Sequence, residues 1–205
     1  MRVDWRERYE RAAARYAAGE TRELDERQLV QLANAAWAAG LSLLMAGERE
    51  EAAVWLRRSA ARYRESWDAG TGEDAWGRPI GTMKALLLAG DDASETAEWT
   101  LGTCLGVRHL DTSVSPIGRY AGVLALLVLG RDEEAGALAA ALGDGFPEDV
   151  AAALGALAAH DADAYRDAVA SVCRSFEERD AFLEDVPVPD TALALDAHAA
   201  RRGLT

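Results

Sequence analysis

Three side chains that could do chemistry together lie near the middle of the chain: Cys104, His109 and Asp111. A cysteine beside a histidine can act as a nucleophile with its base, and all three residue types can bind zinc. No second pair of ligands stands nearby to complete a zinc site. The simpler interpretation is a cysteine buried in a helix, followed by a histidine in a loop. We therefore keep the group as a candidate small-molecule site and predict no metal.

Tryptophan and arginine residues give a second candidate site. Trp67 and Trp76 flank a glycine-rich segment, Arg78 follows it, and Arg119 occupies the equivalent place after the next long loop. Aromatic residues and arginine are enriched at the centres of protein interfaces. We expect a partner-binding surface to include these four residues.

The two long loops allow an alternative function. Residues 68–77 and 106–115 both connect predicted hairpins, so they can meet at one edge of the molecule. A small-molecule or catalytic site between them would be lined by Trp76, Cys104, His109 and Asp111. A deep cavity there would favour this alternative, whereas a shallow open groove would favour partner binding.

The other titratable groups have structural interpretations. His160 stands in a predicted turn, and His198 is expected on the surface of the last helix. An acidic run near the end of the chain lacks the spacing of a calcium loop, and Arg174 and Arg179 are in place to neutralise it. The run comprises Glu177, Glu178, Asp180, Glu184, Asp185 and Asp190. The known phosphate-binding, nucleophile-elbow and zinc-protease motifs do not occur, so we predict no catalytic residue and no cofactor.

Composition limits the partners. The formal net charge is −13 and the pI is about 4.7, which argues against nucleic acid and against an anionic membrane surface. The two cysteines do not form a disulfide framework. The N-terminal residues lack an apolar signal core, and no purely apolar run reaches about 18 residues. These features predict a cytoplasmic protein.

A turn that recurs four times predicts the architecture. Ala46-Gly47-Glu48, Ala89-Gly90-Asp91 and Leu129-Gly130-Arg131 each separate an apolar helical run from an amphipathic one, and His160-Asp161 takes the same place in a fourth copy. Such repetition is typical of stacked helical hairpins. We predict an all-α fold: an irregular stack of antiparallel hairpins in a single domain, residues 1–205. A connector with Pro187 and Pro189 would lead to a C-terminal capping helix.

The predicted helices follow from the apolar spacing and from the caps. Glycine and proline mark their ends. Their approximate ranges are 5–18, 25–45, 48–67, 79–89, 92–105, 116–129, 132–142, 147–159, 162–179 and 191–202.

Residues 36–63 resemble a tetratricopeptide repeat. The pattern is Ala36-x2-Ala39-Gly40-x2-Leu43, then Gly47, then Ala52-x3-Leu56. The small residues stand where the repeat brings its helices close together. The other hairpins keep the turn alone, and the turns are 43, 40 and 30 residues apart.

The resemblance implies a concave groove that binds a protein or a peptide. One subclass of these repeats holds a terminal carboxylate with lysine, arginine and asparagine side chains. Asn34, Arg78, Lys84 and Arg119 are the matching residue types here, although their spacing differs from that clamp. An alanine-rich face left at one end of the stack would also favour a homodimer.

Overall fold

A computed structural model describes residues 3–20, 23–70, 75–105 and 115–204. The predicted all-α fold is confirmed: the described residues form ten α-helices and no strand. They are α1 Trp5–Gly19, α2 Glu26–Ala46, α3 Arg49–Asp68, α4 Gly77–Ala89, α5 Ser94–Trp99, α6 Pro116–Val128, α7 Asp132–Ala140, α8 Glu148–Ala158, α9 Ala162–Glu177 and α10 Asp190–Arg201. A π-helical segment, Thr100–Leu105, continues α5.

The residues divide into two compact units. Unit 1 contains Met1–Asp91 together with Asp180–Asp190, and unit 2 contains Asp92–Arg179 together with Thr191–Thr205. We call Asp180–Asp190 the strap, because the chain leaves unit 2 to contribute this segment to unit 1 and then returns. The single domain of the sequence analysis stays a prediction, and each unit is described by itself.

Helix α2 forms the core of unit 1. It packs against α1 and against α3, and α3 packs against α4. Ala36, Ala39 and Leu43 are completely buried. A Cβ atom added to Gly40 would lie 2.7 Å from Leu56 Cγ, so this glycine permits the close approach of α2 and α3. The close contact that the repeat pattern predicted at Gly40 is therefore present.

An aromatic cluster holds α1 against α3. The Tyr16 and Trp55 rings pack edge to face, with centroids 5.4 Å apart and planes at 90°. The Arg58 guanidinium lies 4.6 Å from the Trp55 ring centroid, a cation–π distance. Trp55 thus belongs to the core, with 8% of its surface exposed.

In unit 2, helices that follow one another in the chain pack together. Helix α6 packs against α5 and α7, α7 against α8, and α8 against α9. Helix α10 contacts several of these elements through polar side chains. Tyr165 of α9 donates a hydrogen bond to Asp196 Oδ1 at 2.8 Å, and Arg202 donates to the carbonyl of Leu127 at 2.5 Å.

The four recurring turns share one backbone geometry. Gly47, Gly90, Gly130 and His160 all have positive φ, at 85°, 82°, 69° and 55°. In every turn this residue donates its N–H to the carbonyl three residues before it, and the next residue donates to the carbonyl five residues before itself. This pair of bonds is the Schellman motif, which closes the end of a helix. The repeat seen in the sequence is thus a repeat of helix termination.

Within the described residues one helix, α2, is long and apolar enough to cross a membrane by length and composition. Its polar residues interrupt the apolar run, so it is not apparent as a purely apolar stretch in the sequence. In the structure 67% of its most apolar window is buried inside the protein. Its apolar character is accounted for by its place in the core of unit 1.

Candidate functional site

A groove on unit 1 collects polar and aromatic side chains from three helices and from the strap. It encloses a pocket of about 250 Å³. Helix α2 contributes Asn34 and Trp37, α3 contributes Tyr63, and α4 contributes Arg78 and Lys84. The strap closes one side with Leu183 and Asp190.

Lys84, the only lysine in the sequence, provides the buried charge of this groove. Its side chain is 9% exposed, and Nζ donates a hydrogen bond to Asp190 Oδ2 at 2.5 Å. Nζ also lies 5.6 Å from the centroid of the Trp37 ring. A buried ammonium requires a negative partner, and the strap supplies one.

Tyr63 and Asn34 form a neutral hydrogen-bonded pair beside this charge. The Tyr63 hydroxyl donates to Asn34 Oδ1 at 2.6 Å. Burial raises the pKa of Tyr63, and the nearby carboxylates of Asp190 and Glu184 raise it further, so the hydroxyl keeps its proton. Because the amide oxygen of Asn34 accepts this bond, its NH2 group can donate to a ligand.

Arg78 occupies the other end of the groove. Its guanidinium forms an ion pair with Glu26, and Nε donates to the buried hydroxyl of Ser66 at 3.4 Å. Burial lowers the pKa of Arg78, though arginine stays charged at any physiological pH. The Arg78 charge is thus balanced by Glu26 within unit 1.

The strap is held at its other end by α1. Glu184 forms an ion pair with Arg15 at 2.7 Å, and the main-chain oxygen of Asp185 accepts a hydrogen bond from Arg8. Glu184 and Asp185 both have φ of 57°, a left-handed conformation that costs residues other than glycine about 1 kcal/mol each. Val186 and Val188 are the buried apolar residues of the strap. Arg15 and Lys84, rather than the predicted Arg174 and Arg179, therefore pair with the acidic strap, because the strap packs on unit 1.

The predicted partner-binding residues of unit 1 have different environments. Arg78 lines the groove. Trp67 is half-buried at the end of α3. Trp76 is 2% exposed, so its ring belongs to the core of unit 1 and contributes no exposed surface.

The remaining predicted site residues lie in unit 2 or outside the described residues. Arg119 donates a hydrogen bond to the carbonyl of Ala141 at 2.6 Å. Cys104 is buried at the end of the π-helical segment. His109 and Asp111 lie outside the described residues, as does most of the 106–115 loop, so the alternative site stays a prediction.

Unit 2 contains a charged cluster that sequence reasoning missed. Asp132 Oδ2 lies 2.7 Å from His160 Nε2, and Asp132 Oδ1 lies 2.6 Å from Arg202 Nη1. His198 is buried rather than on the surface as predicted, because α10 turns this residue inward, with 7% exposed. In the described parts of the chain, no group of three or more His, Cys, Asp and Glu side chains is arranged to hold a metal ion.

A larger depression on unit 2 has few polar side chains that could bind a ligand. It measures about 560 Å³ and is lined mainly by small residues such as Gly136, Ala139 and Gly155. Its charged residues, Asp144 and Glu148, are exposed to solvent. The unit 1 groove is therefore the better candidate, because it contains a buried lysine paired with a carboxylate.

Sequence reasoning found part of this groove. Arg78 was proposed for partner binding, and Asn34 and Lys84 through the resemblance to a carboxylate clamp. Trp37 and Tyr63 were not among the predicted site residues, and the sequence predicted only a connector where the strap lies. The pairing of the sole lysine with a carboxylate of an acidic segment was not predicted. The two residues are 106 positions apart, and their spacing in the sequence does not show that they are close in space.

Comparison with known proteins gives no relative: no family model, curated protein or solved structure matches the chain.

Proposed function

We propose that this protein is a protein–protein interaction module of tetratricopeptide-like type, which binds an extended, carboxylate-bearing peptide segment in the groove of unit 1. The observation that carries the proposal is the contact of Lys84 with Asp190. The groove already accommodates a peptide segment, and a carboxylate of that segment is paired with its buried lysine.

The chemistry of the lining supports a peptide as the ligand. Lys84 offers a positive charge, Asn34 an amide donor, and Trp37 and Tyr63 flat apolar surfaces. Binding pockets commonly combine apolar walls with a few polar groups that fix orientation. A volume of about 250 Å³ is small for an extended peptide and large enough for one or two of its side chains.

The charge distribution supports a specific rather than a general attraction to anions. The protein has a net charge of −13, so a strongly acidic partner is repelled at a distance. A segment with few carboxylates among apolar and proline residues, as in residues 183–190, keeps this penalty small. The same net charge favours a cytoplasmic protein partner over nucleic acid or membrane.

A titration followed by NMR tests the proposal. The probe is an octapeptide with the sequence of residues 183–190, added to the full-length protein up to millimolar concentration. We expect the Trp37 indole and Asn34 side-chain signals to shift on binding. A probe whose last residue is Asn instead of Asp should shift them far less; both probes end in a C-terminal amide, so they differ in charge only at this side chain. Unchanged signals at both residues with the acidic probe, in the unsubstituted protein and in an Asp190→Asn variant alike, would contradict the proposal.

A Lys84→Met variant is the control on the protein side. Methionine preserves the length and the apolar packing of the lysine stem and removes its charge. Its folding is checked by circular dichroism. Peptide binding equal to that of the unsubstituted protein would show that the buried lysine is not part of the site.

A further inference from the structure

We infer that the strap is an internal competitor that holds the groove closed, with the Asp190 carboxylate in the place that a partner's carboxylate would take. This inference rests on the proposed function and adds its regulation. A partner must replace Asp190 at Lys84 before it can bind.

The positive charge of Lys84 is paired with the carboxylate of Asp190. Lys84 Nζ has Asp190 Oδ2 at 2.5 Å and the Trp37 ring at 5.6 Å. A second carboxylate brought to the same ammonium would meet the repulsion of Asp190. The Lys84 ammonium thus already has a carboxylate partner while the strap is in place, and a second carboxylate gains less from approaching it.

The charged contacts that hold the strap at the groove are partly exposed to solvent. Its charged anchors are the pairs Lys84–Asp190 and Arg15–Glu184, and the Asp190 and Glu184 side chains are 27% and 21% exposed. Leu183, which lines the pocket, is 56% exposed, so its apolar surface adds little to the attachment of the strap. The left-handed backbone at Glu184 and Asp185 offsets part of the gain from these contacts.

In the order of the chain, the strap connects two segments of unit 2. Its ends continue directly into Arg179 and Thr191. Release from the groove therefore leaves the strap attached at both ends, so it stays at a high effective concentration and can rebind. A partner must therefore bind the groove tightly enough to compete with the tethered strap.

The test compares Asp190→Asn with Asp185→Asn. Asparagine keeps the size of Asp190 and its capacity to form hydrogen bonds at the start of α10, and it removes the charge that faces Lys84. Asp185→Asn removes one negative charge from the same strap. Because Asp185 contacts Arg8 through its main-chain oxygen, this substitution leaves that contact in place. Fluorescence anisotropy measures the affinity of each full-length variant for a labelled octapeptide with the sequence of residues 183–190.

We expect Asp190→Asn to bind the probe at least tenfold more tightly than the unsubstituted protein, and Asp185→Asn to bind it as the unsubstituted protein does. Equal affinity in all three proteins would overturn the competitor and leave the proposed function standing. Absence of binding in all three, together with unchanged NMR signals at Trp37, would overturn both.

A second measurement does not depend on the peptide. Because the sequence has a single lysine, acetylation by an N-hydroxysuccinimide ester at that side chain reports directly on its exposure, and mass spectrometry of the digested protein locates the product. We expect Lys84 to react several-fold faster in Asp190→Asn than in Asp185→Asn. Equal rates would show that Asp190 does not shield Lys84 and would overturn the inference.

Discussion

His160 Nε2 lies 2.7 Å from Asp132 Oδ2, so the fourth recurring turn contacts the residue that begins the helix after the third turn. His160 has φ of 55°, where the other three turns have glycine. The histidine therefore adopts a left-handed conformation and forms a side-chain contact that a glycine would lack. The sequence alone shows that a histidine replaces the glycine in this turn. The structure shows that its side chain contacts Asp132, which offsets part of the cost of the left-handed backbone.

We predict that His160→Gly and His160→Ala differ in stability although both lose this contact. The His160 side chain is 53% exposed, so the contact stabilises by less than about 1 kcal/mol. Glycine recovers about 1 kcal/mol of backbone strain, and alanine does not. Urea unfolding should therefore show His160→Gly close to the unsubstituted protein and His160→Ala about 1 kcal/mol below His160→Gly. The reverse order would contradict the assignment of strain to His160.

Asp132→Asn tests the other side of the cluster. Burial raises the pKa of Asp132, but hydrogen bonds and charge from His160 and Arg202 outweigh it, so the net shift is downward. A carboxyl with a lowered folded-state pKa stabilises the protein above its unfolded pKa of about 4, and this contribution is lost as the pH falls through the folded value. We expect Asp132→Asn to be destabilised at neutral pH and to lose less stability between pH 5 and pH 2.5.

The control for this variant is Asp163→Asn. Asp163 pairs with Arg166 three residues later, but its side chain is 90% exposed. Ion pairs in that setting contribute little to stability. Urea unfolding of this variant should match that of the unsubstituted protein over the same pH range. Parallel curves for all three proteins would contradict the role of Asp132.

His198 gives a second pH dependence at higher pH. Burial lowers its pKa to about 4, and the charges of Arg202 and Arg201 act in the same direction, opposed by Asp132. Between pH 6.5 and about 4 the unfolded chain binds a proton that the folded protein excludes, so stability falls as the pH falls. The loss amounts to about 3 kcal/mol across this window.

Two substitutions check this dependence. His198→Gln and His198→Leu both remove the titrating ring, one with a polar and one with an apolar side chain. We expect the free energy of unfolding of each variant to be nearly flat between pH 6.5 and 4.5, whatever its absolute value. A slope equal to that of the unsubstituted protein in either variant would show that another group is responsible.

The local structure was largely predictable because its signals are local. Asp25 and Gln28 form the capping box at the start of α2. Each Schellman motif has a glycine, or His160 in the fourth turn, at the position with positive φ. Less local features were missed. Thr100–Leu105 was predicted to continue α5 as an α-helix and is π-helical, and Pro79 is the third rather than the first residue of α4.

The groove was predictable only in part, because its defining contacts join distant residues. Lys84 and Asp190 carry no signal in sequence that they are partners, and His198 looked exposed because its neighbours, Arg201 and Arg202, are charged. Arg202 is in fact 10% exposed on its side chain and donates to main-chain carbonyls. Long side chains with a polar tip can be buried wherever the backbone offers acceptors, and residue type does not show this.

The close approach at Gly40 supports a final prediction about packing. A Cβ atom at Gly40 would lie 2.7 and 2.9 Å from side-chain atoms of Leu56, and 3.4 Å from the carbonyl of Ala52. Gly40→Ala gains about 1 kcal/mol of helix propensity but forces Leu56 and the α2–α3 pair apart, at a typical cost of 1–3 kcal/mol. Gly155→Ala in α8 gains the same propensity with no atom within 4 Å of its Cβ. Thermal unfolding should therefore show Gly40→Ala at or below the unsubstituted protein and Gly155→Ala above it. If Gly40→Ala stabilises as much as Gly155→Ala, helices α2 and α3 are not in the contact described, and the groove built on them would have a different shape.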